Sequence, residues 1–145
     1  MIFTNSDGGC RGNPGPGAIG VLVRDEGTIL IRYAEKIGNF ITNNIAEYEA
    51  LIKALELAQK VTRKEVTCVL DSELVVKQLL GEYKVKDRKL LPLFLKVHKL
   101  IDQFEKVIFK HASRWDDFQR IADEILNDEL IKHGHYKKYP RKRKG

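Results

Sequence analysis

Cysteine and long apolar runs are scarce in this chain, and each scarcity excludes a class of protein. Its 145 residues include only two cysteines, Cys10 and Cys68. They have no metal-ligand spacing, and we expect two free thiols in a reducing compartment. No stretch approaches the roughly 18 apolar residues of a membrane span, and the N-terminus has no signal-peptide pattern. We therefore expect a cytoplasmic protein that does not associate with a membrane.

The chain also lacks internal repeats and any internal domain boundary. A length of 145 residues is that of one ordinary domain, which can bury roughly two-thirds of its unfolded surface. We predict one domain over residues 1–132 and a basic, flexible tail over residues 133–145. No large apolar surface stripe is left over, so we expect a monomer without an obligate protein partner.

Acidic residues are absent from the segment 131–145, which carries seven Lys and Arg residues. The segment 77–99 carries seven basic and two acidic residues, a balance of +5. Because the whole chain has a net charge of +6, the remaining residues sum to −6. This separation fits a polyanion-binding protein that also holds an acidic metal site. A solvated basic surface is the alternative.

The periodicity of apolar residues predicts the element order βββαβααβα. The fold class is then α/β, a five-stranded mixed sheet of three antiparallel and two parallel strands, flanked by helices. The Gly- and Pro-rich segment 7–17 predicts a turn or loop. Strands are predicted at residues 2–6, 18–24, 28–34, 65–70 and 105–110, and helices at 43–60, 72–80, 90–102 and 116–132.

Four acidic residues lie in four different segments of this pattern: Asp7, Glu47, Asp71 and Asp123. Asp7 and Asp71 end neighbouring strands, where open α/β sheets bind ligands. Clustered carboxylates repel one another unless a cation lies between them, and pairs of hard divalent metals cleave phosphodiester bonds. Taken singly, each acid has a structural explanation. Asp7 could be a turn aspartate, and Glu47 could compensate a helix N-terminus. Asp71 could cap the following helix, and Asp123 could be a surface charge. The metal hypothesis therefore depends on all four together.

Four sequence segments resemble the catalytic motifs of type 1 ribonuclease H (ribonuclease HI), in the family's order. They are SDGGCRGNPGPGAIG at 6–20, TNNIAEYEAL at 42–51, VLDSELVVKQL at 69–79 and ADEIL at 122–126. The resemblance implies an endoribonuclease that hydrolyses the RNA strand of RNA–DNA hybrids and leaves 3′-hydroxyl and 5′-phosphate ends. It also implies that Asp7, Glu47, Asp71 and Asp123 bind two Mg²⁺ ions, with Mn²⁺ as an alternative and Asp7 as the bridging ligand.

The resemblance extends to a catalytic histidine and to substrate contacts. His111 matches a mobile histidine of the family, although its interval to Asp123 is longer than usual. An exposed histidine without a catalytic role is the alternative. The chain has no room for the extra basic helix that some members carry, so it resembles a handle-less form. Basic residues of the connector, including Lys84 and Lys86, and of the tail would then bind substrate. The implied minor-groove and phosphate contacts are Cys10, Asn13, Thr42, Asn43, Asn44 and Ser72.

Two other functions fit the same fold. One is a hybrid-binding module without catalysis, which the presence of all four acids disfavours. The other is the core of a resolvase or transposase. Those proteins usually lack the GNPGPG loop and the paired asparagines found here, and often carry additional DNA-binding domains.

Overall fold

The computed structural model describes residues 1–113 and 115–137, and within them the predicted order βββαβααβα is confirmed. No helix in this described part of the chain is long and apolar enough to cross a membrane. The strands are β1 (Ile2–Cys10), β2 (Gly15–Arg24), β3 (Ile29–Ile41), β4 (Glu65–Leu70) and β5 (Lys106–His111). The helices are α1 (Asn43–Ala58), α2 (Glu73–Leu79), α3 (Leu91–Ile101) and α4 (Asp117–Lys132).

The five strands form one mixed sheet in the order β3-β2-β1-β4-β5, which confirms the predicted fold class. Strands β1, β2 and β3 pair antiparallel, whereas β4 is parallel to both β1 and β5. The centre of the sheet is therefore β1, the strand that carries Asp7. On its β4 side the last register pair is Ser6 with Leu70. Asp7 and Asp71 consequently follow a matched pair of residues on adjacent parallel strands.

The glycine-rich segment 7–17 is only partly a turn, and the prediction of a loop over all of it is wrong. Strand β1 continues through Gly8 and Gly9 to Cys10, where it pairs with Gly17 of β2. Gly8 permits β1 and α1 to pack closely, because a Cβ atom at this position would overlap the backbone carbonyl group of Ala46 in α1. A strand can contain glycine where another backbone approaches it closely.

Helices α1 and α4 cover opposite faces of the sheet. Successive residues of a strand point to opposite faces. Gly8 faces the backbone of α1 at Ala46, while Gly9 faces Leu126 of α4. A large apolar core lies on the α1 side, and a smaller cluster of Ala18, Leu126 and Leu130 lies beneath α4. Asp7, an odd-numbered residue like Gly9, shares the α4 face of β1.

The beginning of the predicted tail contacts the domain. The backbone carbonyl of His135 accepts a hydrogen bond of 3.2 Å from Arg11 Nε. The ring atom Nε2 of His135 lies 2.9 Å from Lys36 Nζ. Residues 138–145 of the tail lie outside the described residues. Both cysteines are free thiols, as predicted: Cys10 is half-buried and Cys68 is buried.

Candidate active site

Asp7 lies within the central strand rather than in a turn. It is 6% exposed and pairs with Gly20 of β2. The parallel pairing of β1 with β4 brings Asp71, the residue after β4, to the same end of the sheet. Asp71 does not cap α2, because the Ser72 hydroxyl accepts the capping hydrogen bond from the Val75 N–H at 3.2 Å. The alternative of a capping aspartate is therefore wrong.

Close contact between α1 and β1 positions Glu47. The glycine at position 8 lets the α1 backbone approach the strand, and Gly8 N–H then donates a 3.1 Å hydrogen bond to Glu47 Oε1. Glu47 is 9% exposed. Its other oxygen, Oε2, is buried and accepts no hydrogen bond from any residue that the structure describes. The carboxylate therefore turns toward the sheet instead of compensating the N-terminus of its own helix.

Asp123 reaches the site from the opposite face. A Cβ atom on Gly20 would overlap the Ala122 carbonyl oxygen, so α4 crosses the sheet directly over the strand position paired with Asp7. The Asn127 side-chain amide donates to the Asp123 backbone oxygen at 2.8 Å and to its Oδ1 at 3.1 Å. Asp123 is exposed, as the alternative of a surface charge requires. It nevertheless lines one cleft with Asp7 and Asp71, and its charge raises the pKa of both Asp7 and Glu47.

The electrostatics of the cluster penalise ionisation of its buried members. Burial raises the pKa of Asp7 well above its usual range, and Glu47, Asp123 and Asp71 raise it further. Burial likewise raises the pKa of Glu47, while the neighbouring Asp7 carboxyl group and the Gly8 N–H lower it. Four acids at one end of a sheet therefore need either a proton or a cation among them.

The donor set of this cluster fits hard divalent cations. All four side chains offer carboxylate oxygens, and the unpartnered Glu47 Oε2 has an unused lone pair that a cation would satisfy. Over the described residues, no three His, Cys, Asp or Glu side chains are already placed so that they could hold a metal ion. Mg²⁺ is usually bound by one or two carboxylates together with waters and substrate phosphates, rather than by a complete protein cage.

A cleft of about 490 Å³ opens over three of the acids, Asp7, Asp71 and Asp123. His111, the last residue of β5, also lines it, and its Nε2 lies 3.0 Å from the Asp71 backbone oxygen. Because a carbonyl oxygen can only accept, this contact requires that Nε2 carry the proton, which leaves Nδ1 of a neutral ring unprotonated. The structure thus places His111 beside the carboxylates.

Further cleft residues were absent from the sequence prediction. Gln119 and Arg120 line the cleft from the first turns of α4, and Ser113 and Asp116 line it from the preceding loop. The helical period could have identified Gln119, because it lies four residues before Asp123 and hence on the same helix face. Nothing comparable marks the loop residues.

Four of the predicted substrate contacts form a connected group at the N-terminus of α1. Cys10 Sγ donates to Asn43 Oδ1 at 3.0 Å, and the Asn43 N–H donates to Asn13 Oδ1, also at 3.0 Å. Thr42 caps the helix through a 3.3 Å hydrogen bond from the Ile45 N–H. The other predicted contacts are separate from this group: Asn44 is half-buried on α1, Ser72 caps α2, and the exposed Lys84 and Lys86 do not line the cleft.

Comparisons with known proteins agree with this architecture. A family model described as reverse transcriptase-like matches residues 5–127. The crystal structure of LC11-RNase H1 in complex with an RNA/DNA hybrid is 40% identical to this chain, with a TM-score of 0.84. The similarity covers 92% of this chain and 99% of that one. The residues 5–127 matched by the family model include all four acids of the cluster.

Two curated relatives are longer than this chain. The bifunctional protein Rv2228c of Mycobacterium tuberculosis is 37% identical over 131 residues, which are 89% of this chain and 35% of that protein. Ribonuclease HI of Halobacterium salinarum is 38% identical over 125 residues, which are 86% of this chain and 61% of that protein. The chain thus spans about a third and about three-fifths of these relatives.

Proposed function

This chain belongs to the ribonuclease H-like family, and we propose that it is an endoribonuclease that hydrolyses the RNA strand of RNA–DNA hybrids. The observation that carries the proposal is the convergence of Asp7, Glu47, Asp71 and Asp123 on one end of the sheet, at an open cleft. The hybrid bound by the 40%-identical LC11-RNase H1 supports the choice of substrate. The expected products carry 3′-hydroxyl and 5′-phosphate ends.

Two Mg²⁺ ions, with Mn²⁺ as an alternative, are the proposed cofactors, and the four acids would hold them. When bound, such ions lower the pKa of a water nucleophile and stabilise the charge that develops on the departing oxygen. The chain itself would supply the oxygen ligands, and the fold holds two of them in place. Glu47 is held by Gly8 N–H, and Asp7 is fixed in the central strand. The exposed Asp71 and Asp123 leave the cleft side open for a phosphodiester.

His111 is the proposed residue for proton transfer near the scissile bond. Its Nε2–H is held by the Asp71 carbonyl, so Nδ1 is the atom that can accept a proton. We expect His111→Ala to lower kcat by about 10²-fold, the lower end of the usual general acid–base contribution, and to change KM little. Steady-state kinetics on a labelled hybrid measure both.

The matched control for His111 is His98→Ala. His98 is an exposed histidine on α3 whose ring packs 4.5 Å from that of Phe94. It should retain the wild-type kcat. Equal kcat values in His111→Ala and the wild type would eliminate the proton-transfer role and leave His111 as an exposed strand-end residue.

The hybrid is proposed to bind along the N-termini of α1 and α2. The connected group of Cys10, Asn13, Thr42 and Asn43 presents short polar side chains beside a helix N-terminus, which favours phosphate. Asn44 and Ser72 are proposed as further contacts. The connector, including Lys84 and Lys86, and the basic tail would add contacts to phosphates whose strength falls with salt.

The test of the proposed function is a substrate comparison. Labelled RNA–DNA hybrid, double-stranded RNA and double-stranded DNA are incubated with the protein, with Mg²⁺ or with excess chelator. We expect cleavage of the RNA strand of the hybrid only, and none with chelator. Hybrid binding without cleavage would identify a binding module instead. Cleavage of double-stranded DNA would identify another nuclease of this fold.

A further inference from the structure

A buried polar network lies beside the carboxylates and is not used by the proposed chemistry. It joins Asn5 of β1, Arg24 of β2 and Gln119 of α4, which are 0%, 7% and 6% exposed. Gln119 Nε2 donates to the Ser6 backbone oxygen at 2.7 Å, and Asn5 Nδ2 donates to Gln119 Oε1 at 3.2 Å. Arg24 Nε donates to Asn5 Oδ1 at 2.8 Å. Three elements are thus connected through one chain of hydrogen bonds.

The two ends of the network fix the orientation of both amides. Arg24 can only donate, so Asn5 must turn Oδ1 toward it and Nδ2 toward Gln119. The Ser6 carbonyl can only accept, so Gln119 must turn Nε2 toward the strand and Oε1 toward Asn5. Both requirements agree. Gln119 is therefore held in one orientation, and neither amide can flip without losing two hydrogen bonds.

Aromatic contacts secure the Arg24 end of the network. Its guanidinium carbon lies 4.5 Å from the ring centroid of Phe3 on β1 and 3.9 Å from that of Phe118 on α4. Arg24 also donates to the Asp25 carbonyl at 3.1 Å. The start of α4 is consequently fixed to the sheet by the contact of Phe118 with Arg24 as well as by the hydrogen bonds of Gln119.

The spacing of these contacts relates them to the catalytic cluster. Asn5 and Asp7 are two residues apart on one face of β1, a rise of about 6.6 Å. Gln119 and Asp123 are four residues apart on one face of α4, a rise of about 6 Å. Along both β1 and α4, the contact between Asn5 and Gln119 therefore precedes the point where Asp123 approaches Asp7 by about the same distance. A shift of α4 along β1 would disturb both.

We propose that Gln119 is a positioning residue: its two hydrogen bonds to β1 set the register of α4 on the sheet and thereby hold Asp123 beside Asp7. The proposal rests on the proposed function for its effect on turnover. The asymmetry of the contacts supports it. Gln119 is attached to a strand backbone and to a buried side chain. Asp123 is exposed, and among the described residues its side chain is hydrogen-bonded only to Asn127 of its own helix.

The test is Gln119→Met, which keeps the side-chain length and a good helix former while removing both hydrogen bonds. We expect kcat on the hybrid to fall about tenfold and the affinity of the substrate-free protein for Mn²⁺ to fall by a similar factor, the usual effect of losing a residue that orients a metal ligand. KM should change less than about twofold, because the proposed substrate contacts lie elsewhere. Electron paramagnetic resonance of free Mn²⁺ measures the affinity without substrate.

Gln78→Met is the matched control. Gln78 is also 6% exposed, and it accepts a 2.6 Å hydrogen bond from the Tyr48 hydroxyl in the core on the α1 side. Its loss should lower Tm about as much as the loss of Gln119, with kcat and Mn²⁺ affinity unchanged. If Gln119→Met is unfolded at the assay temperature, Gln119→Asn gives the same two measurements, because its side chain is one methylene too short for both partners.

The outcomes separate this inference from the proposed function. A wild-type protein that cleaves no hybrid contradicts the function, while the Mn²⁺ titration still compares the variants. Unchanged Mn²⁺ affinity and kcat in Gln119→Met would overturn the positioning role. So would equal losses in the Gln119 and Gln78 variants, since they would indicate a general effect of removing a buried amide.

Discussion

Asp7→Asn is expected to lower kcat on an RNA–DNA hybrid by at least about 10³-fold, and at the same time to raise the Tm of the metal-free protein. The loss of activity follows from removing a ligand charge at the centre of the cluster, where bound metals contribute several kcal/mol of transition-state stabilisation. Asn has nearly the same shape as Asp, so the central strand should be undisturbed. Single-turnover assays at saturating Mg²⁺ measure the cleavage rate.

The gain in stability follows from the pKa of Asp7. Burial raises that pKa first, and Glu47, Asp123 and Asp71 add to the effect. The folded state therefore binds the proton more tightly than the unfolded state does. The corresponding stability is fully present below the unfolded pKa, about 3.8, and is lost as pH rises toward the folded value. At pH 7 the wild type has lost part of it, because the Asp7 carboxyl group ionises only in the unfolded state, whereas the Asn variant has no carboxyl group to titrate.

Thermal unfolding between pH 4 and pH 8 in chelator tests this sign. The Tm of Asp7→Asn should exceed that of the wild type at pH 7 by about 3 °C or more, roughly the effect of 1 kcal/mol in a domain of this size, and the difference should shrink at pH 4. Glu26→Gln, an exposed acid in the turn between β2 and β3, should change neither Tm nor cleavage. Strong Mg²⁺-dependent cleavage by Asp7→Asn, or a lower Tm at pH 7, would contradict the assignment.

Local chemistry made much of this fold predictable. The sequence predicts helices that begin at residues 43 and 72, each beside a hydroxyl side chain. In the structure the hydroxyl groups of Thr42 and Ser72 cap α1 and α2 by accepting from backbone N–H groups three residues on. The buried strand 65–70 was predicted to the residue, since a short run of apolar residues in a parallel sheet is covered on both faces. Each of these signals is contained within a few neighbouring residues.

Long-range packing explains what the sequence did not reveal. Strand β3 continues to Ile41 although Glu35 and Lys36 interrupt its apolar pattern, because antiparallel pairing with β2 supplies its backbone hydrogen bonds. The network of Gln119 joins residues 114 positions apart. No local pattern distinguishes its amide from that of an exposed glutamine. The sequence thus predicts the four acids of the candidate site but not the contacts that hold them in place.

Gly8 is another residue whose role no local pattern reveals, and its substitution by Ala is expected to have a large effect. The Gly- and Pro-rich composition of the segment 7–17 predicts a turn or loop at Gly8. In the structure its lack of a side chain instead lets α1 lie against β1. Gly8→Ala would drive a methyl group into the Ala46 carbonyl group, which is backbone and cannot rotate away. We expect a loss of about 3 kcal/mol or more in the free energy of unfolding, the upper range for overpacking, and a Tm lower by about 6–12 °C.

Activity should fall further than stability in this variant. Moving α1 away from β1 lengthens the hydrogen bond from Gly8 N–H to Glu47 Oε1 and withdraws that carboxylate from Asp7. We therefore expect kcat to fall at least about tenfold at a temperature where the variant is fully folded by circular dichroism, as for other losses of a group that orients a ligand. Ala46→Gly cannot rescue it, because the overlapping atoms belong to the backbone.

The neighbouring glycine provides the decisive comparison. A Cβ atom on Gly9 would lie 3.4 Å from Leu126 Cδ1, an ordinary contact with the end of a flexible side chain on the α4 face. Gly9→Ala should therefore cost less than about 1 kcal/mol and leave kcat near that of the wild type. Gly27→Ala, with nothing within 4 Å, tests the effect of losing glycine in open space. If Gly8→Ala were tolerated as well as these two, contact between α1 and β1 could not be what positions Glu47, and the geometry of the carboxylate cluster would need another cause.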